Sequence, residues 1–180
     1  MAQLDSASPS EGEGCPFEPG REHHFSPVAS DGDDERHVRE AMALADRAIA
    51  GGDVPSGALL IVDGMRFEAH NEKEARPDPT AHAEMLAIAA AARALGRWRV
   101  GGTLYVTKEP CAMCAGAMAA ARIERLVYGC RDAKGGAAGS VIDVLDSLAV
   151  NHRVAVTAGV LENETAAQLR AFFAAKRRTK

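Results

Sequence analysis

The chain has 180 residues, a length suited to one domain rather than two. Apolar residues make up 47% of it, which is enough for a substantial core and excludes a wholly disordered polymer. The formal charge is −4, but residues 1–35 hold nine acids and one base, so the rest of the chain carries +4. The longest apolar run, 85–92, falls far short of the ~18–20 residues that cross a bilayer. Four cysteines are too few for a disulfide-built scaffold, and no basic start precedes an apolar stretch as in a secretory leader. A cytoplasmic protein with no membrane association is expected.

Residues 1–34 are rich in Ser, Pro, Gly and acid and show no apolar periodicity. They cannot bury enough surface to offset their ordering entropy, so a disordered acidic extension is expected there, followed by one domain over 35–180. Asp33 and Asp34 can cap a helix whose apolar positions include Val38, Ala41, Ala45 and Ala48, and Gly51-Gly52 stops it. Strands follow at 58–62 and 66–70, joined by the hairpin signal Asp63-Gly64. An Ala-rich helix is predicted over 80–95, a strand over 103–107, a helix over 111–121 and a strand over 125–129. A Gly-rich loop, 132–140, leads to a short helical piece near 141–148, a strand over 153–157 and a basic helix over 162–178. Trp98 is expected to pack over a sheet edge. This order implies a layered α/β domain whose mixed sheet has five strands and helices on both faces.

The chemistry is concentrated in His82-Ala83-Glu84 and Pro110-Cys111-Ala112-Met113-Cys114. Cys111 and Cys114 stand three apart at a helix start, where the dipole favours thiolates. Alone, such a pair is equally compatible with two small buried apolar groups. No second Cys-x-x-Cys and no His-x-x-x-His closes a four-residue site, so His82, Cys111 and Cys114 form a three-ligand set with one open position. That pattern marks a catalytic zinc, one per subunit. Glu84 would point about 200° from His82 in mid-helix, so both can serve one centre only if they lie at the helix start. There a carboxylate outside the ligand set can accept and return a proton.

His-x-Glu followed by Pro-Cys-x-x-Cys resembles the signature of the zinc-dependent nucleobase deaminases. The strings HNEKEARPDPTAHAE, LYVTKEPCAMCAGAM, RIERLVYGCRDAKGGAAGS and NHRVAVTAGVLENE, with the ending FFAAKRR, resemble the bacterial tRNA adenosine deaminases over 37–178. The resemblance implies a cytidine-deaminase-like three-layer α/β/α sandwich and a homodimer that acts on a tRNA anticodon stem-loop. It also implies conversion of the wobble adenosine to inosine. It assigns His82, Cys111 and Cys114 to zinc and Glu84 to the proton shuttle. Asn71 would hold the target purine, and Ala83 with the Ser56-Gly57-Ala58 turn would line its pocket. Asp132 and Lys134 would face RNA near the flipped nucleotide, while Phe172, Phe173, Arg177 and Arg178 would meet flanking bases and phosphates. Ser56, Lys108, Gly135 and Thr165 depart from the residues usual there. Two alternatives stay open on the same residues: a deaminase of free guanine, cytosine or a nucleoside, and a zinc-stabilised RNA-binding module without catalysis.

Overall fold

The computed structural model describes residues 32–147 and 151–178. In chain order the elements are α1 (Gly32–Ala50), β1 (Gly57–Val62), β2 (Met65–His70), α2 (Ala83–Leu95) and β3 (Thr103–Lys108). Then come α3 (Ala112–Ala120), β4 (Arg125–Cys130), β5 (Ala155–Ala158) and α4 (Glu162–Arg178). The strands form one sheet in the order β2-β1-β3-β4-β5. β1 runs antiparallel to both β2 and β3, whereas β3, β4 and β5 are parallel. The α3 crossover makes β3 and β4 parallel, the long segment after β4 returns to add β5 in the same sense, and the tight turn at Asp63 (φ 51) and Gly64 (φ 73) makes the antiparallel hairpin.

Alternation along the strands builds the two cores. Ala58, Leu60 and Val62 of β1, Leu104 and Val106 of β3, and Leu126 and Tyr128 of β4 face α2 and α3. The intervening Leu59, Tyr105 and Val127 face α1 through Val38. Helix α4 covers the same side, because a Cβ on Gly129 would sit 2.6 Å from the Thr165 side chain. The result is the three-layer α/β/α sandwich with the mixed five-stranded sheet. Gly57 lets α1 lie directly on the start of β1, since a Cβ there would fall 1.9 Å from the carbonyl oxygen of Ala41.

Several boundaries differ from the sequence reading. The extension expected over 1–34 lies outside the described residues as far as residue 31, but 32–34 already belong to α1. Asp34 is 2% exposed, and Arg125 donates to both its carboxylate oxygens at 2.8 and 2.6 Å. The predicted helical piece near 141–148 does not form over its described part, 141–147. Instead the segment folds back through an Ala138–Asp143 bridge. The Ile142 carbonyl accepts from the Gly139 amide at 3.1 Å and the Asp146 amide donates to Asp143 Oδ1 at 3.0 Å, so both halves of a helical 146-to-142 bond are spent elsewhere. Trp98 does not pack over a sheet edge. It is 59% exposed, with the Arg99 guanidinium 4.4 Å from its ring centroid.

Candidate active site

Two helix starts meet at one end of the sheet. Asp78 accepts hydrogen bonds from the backbone N–H and the hydroxyl of Thr80, at 2.8 and 2.7 Å, and the turn it makes delays α2 until Ala83. His82 is thereby left at the N-cap in extended conformation (φ −76, ψ 150). Cys111 occupies the corresponding N-cap of α3 (φ −76, ψ 172), and Cys114 follows within the first turn. The extended N-cap backbone removes the mid-helix conflict between His82 and Glu84, which is now the second residue of α2.

His82 Nδ1 lies 3.8 Å from Cys111 Sγ and 3.6 Å from Cys114 Sγ, and the two sulfurs are 3.7 Å apart. Among the described residues these three form the group able to hold a metal ion. Tetrahedral zinc with ordinary Zn–S and Zn–N lengths would space its donors by about 3.5–3.8 Å. The residues present therefore fit the ion, and among the described residues no fourth side chain joins the group.

Electrostatics reinforce the arrangement. A hydrogen bond from Cys114, then one from His82, pulls the Cys111 thiol down to about 3. Cys114, the donor of that pair, is pushed up by the bond to Cys111 and by burial. Its hydrogen bond with Cys111 raises His82 above the usual imidazole value against the effect of burial. Glu84 is 5% exposed, and burial raises its carboxyl above the usual range although the charge of His82 pulls it back. A carboxyl held in that way takes up a proton more readily than a solvated one.

The other residues singled out from sequence fall into three groups. Ala58 and Ala83 are fully buried in the same core cluster as Cys114. Gly57 N donates to Thr107 Oγ1 at 3.2 Å, and the Ser56 carbonyl accepts from Asn71 N at 2.9 Å, so the turn and Asn71 are one unit. Asp132 and Lys134 lie just past β4. Register pairs Cys130 with Lys108, three residues before Cys111, and Lys108 Nζ reaches Asp132 Oδ2 at 2.6 Å. Phe172, Phe173, Arg177 and Arg178 ride on the part of α4 beyond Thr165, the helix's buried residue. The two Phe rings meet edge to face at 5.3 Å, Lys176 lies over Phe172, and Phe173 is 41% exposed.

Two buried acids escaped the sequence reading. Asp53 is 1% exposed; it accepts from Asn71 Nδ2 at 3.2 Å and from the amides of Glu74 and Ala75. Glu109 is 2% exposed and gathers backbone amides of the 131–140 loop. The available signal was an acid set directly before an apolar or Pro-containing stretch, in Gly52-Asp53-Val54 and Glu109-Pro110.

Comparison with known proteins decides the family. The MafB19-like deaminase model matches residues 32–177. The chain belongs to that deaminase family. A curated member, the tRNA-specific adenosine deaminase of Bacillus subtilis, is 46% identical over 149 residues, spanning 82% of this chain and 92% of its own. A solved deaminase from work on A-to-I editing at the wobble position of transfer RNA is 40% identical. It has a TM-score of 0.71 and covers 74% of this chain and 99% of its own. The guanine deaminase from Bacillus subtilis is 36% identical with a TM-score of 0.51, over 54% of this chain and 64% of its own. This member carries the fold of that solved tRNA deaminase, with its own His/Cys group and buried Glu84 at the starts of α2 and α3.

Proposed function

We propose that this deaminase converts the wobble adenosine of a tRNA anticodon stem-loop to inosine, with one zinc per subunit, as a cytoplasmic homodimer. The observation that carries the reading is the three-donor group at two helix starts with the buried Glu84 beside it. It is supported by the 46% identity to a tRNA-specific adenosine deaminase.

Zinc held by His82, Cys111 and Cys114 would supply Lewis acidity that makes water nucleophilic at neutral pH. Glu84 takes the proton that water gives up on attacking carbon-6 of adenine. It returns that proton to the ring nitrogen, then takes the second proton from the new carbon-6 hydroxyl and passes it to the departing amine, so water and adenosine become inosine and ammonia. Burial suits Glu84 to this work by keeping its protonated form accessible. Asn71, steadied by Asp53, would hold the purine, and Ala83 with Ser56-Gly57-Ala58 would line the pocket. Asp132 and Lys134 would meet RNA beside the flipped base. Phe172 and Phe173 offer rings for stacking, and Arg177 and Arg178 offer charge to phosphates.

A second reading, deamination of a free base, is favoured by the likeness to a guanine deaminase. Incubating the purified protein with an anticodon stem-loop, guanine, cytosine and adenosine separates the two. Inosine at the first anticodon position, with little turnover of the free compounds, is expected. Turnover of free guanine or cytosine with an unmodified stem-loop would overturn the proposal.

A further inference from the structure

Glu109 follows β3 directly and precedes Pro110-Cys111, yet the chemistry above makes no use of its side chain. Its buried carboxylate is divided between the two ends of one loop. Oε2 accepts from the Asp132 amide at 2.9 Å, and Oε1 accepts from the amides of Ala138 and Ser140 at 3.1 and 3.0 Å. The Glu109 amide donates to the Cys130 carbonyl at 2.9 Å, and the Ala137 amide donates to the Pro110 carbonyl at 2.8 Å. Gly136 passes so close that a Cβ would fall 2.4 Å from the same carboxylate. The loop has no helix or regular strand of its own to hold it. Burying a carboxylate is costly, and three amide donors are the compensation that makes it tolerable here. The neighbouring Lys108 completes the attachment by pairing with the Asp132 side chain at 2.6 Å.

We infer that Glu109 is a positioning residue, whose carboxylate holds the loop bearing Asp132 and Lys134 in register with the segment bearing Cys111. The inference deepens the proposed tRNA reading and rests on it for what the loop meets. Glu109 touches neither substrate nor metal. It acts through the loop, so its loss should fall on substrate engagement rather than on the chemical step.

The test uses the full-length, metal-loaded protein and its Glu109→Gln variant. The glutamine oxygen can still serve Ala138 and Ser140, but its NH2 group then opposes the Asp132 amide. Hydrogen exchange at the Asp132 amide should accelerate about tenfold, and KM for the anticodon stem-loop should rise about tenfold. Metal content should stay the same, and kcat per bound metal should change by less than about threefold. Gly136→Ala approaches the attachment from the other side with the carboxylate intact and should give the same KM-selective change; it decides the matter if the glutamine variant does not fold. Unchanged exchange and unchanged KM would overturn the inference. So would an activity loss that follows metal content at constant KM, the mark of a purely structural role. If the wild type leaves the stem-loop unmodified, the functional proposal fails, and exchange alone still decides whether Glu109 anchors the loop.

Discussion

Glu84 and Asp132 are both carboxylates near one end of the sheet, and their surroundings push them in opposite directions. Burial raises Glu84. Burial also acts on Asp132, but hydrogen bonds from Lys108 and the Lys134 amide outweigh it and hold this carboxyl below its ordinary 3.8. One group is thus kept ready to carry a proton and the other is kept charged. Glu84→Ala should retain bound metal, by elemental analysis, and lose at least about a hundredfold in turnover. The Lys108–Asp132 pair makes a different prediction. Because the folded-state value is depressed, its contribution is full at neutral pH and vanishes as pH falls through that value. Urea unfolding should therefore find Lys108→Met less stable than wild type at pH 7, with the gap closing below about pH 3.8. His82, Cys111 and Cys114 could be grouped from sequence because their spacings, taken together, match a three-donor metal set, and Glu84 drew notice as the acid two residues after His82. Asp53 and Glu109 were not legible, because their partners, the Asn71 side chain apart, are backbone amides 21 to 31 residues away, and no side-chain pattern records those.

At the level of elements, the helices and the hairpin could be read from apolar period and turn residues, since local preference and burial agree there. The failure near 141–148 shows where that agreement ends. Val141, Val144, Leu145 and Leu148 have helical spacing in sequence. Yet Val141 and Ile142 are 52% and 51% exposed: Gly139 has taken the Ile142 carbonyl, Asp143 the Asp146 amide, and Glu109 has fixed the loop before them. Helix α1 likewise begins earlier than composition suggests. Its acidic first turn reads as solvated, but Asp34 is drawn inward by Arg125, which also donates to Thr157 Oγ1 at 3.0 Å. The pair therefore ties α1 to β4 and β5. Arg125 keeps some solvent contact, so Asp34→Ala should cost about 1–3 kcal/mol, less than a fully buried pair would. Thermal unfolding should show a Tm several degrees lower with the metal content unchanged.

Across the whole molecule, the metal donors come from the starts of two separate helices, α2 and α3. A bound ion would therefore act as a cross-link between α2 and α3, and its binding free energy would add to folding stability. Chelation should lower Tm, make two further thiols reactive and restore both readings when zinc is returned; a Tm indifferent to chelator would contradict this. The bare backbone contact between Gly57 and Ala41 carries a further consequence, for redesign. Redesign of the proposed base pocket can vary Ser56, but Ala58 is fully buried in the core and a side chain at 57 would lift a whole helix off the sheet. The proposed pocket is therefore open to change at residue 56 and locked at the glycine itself.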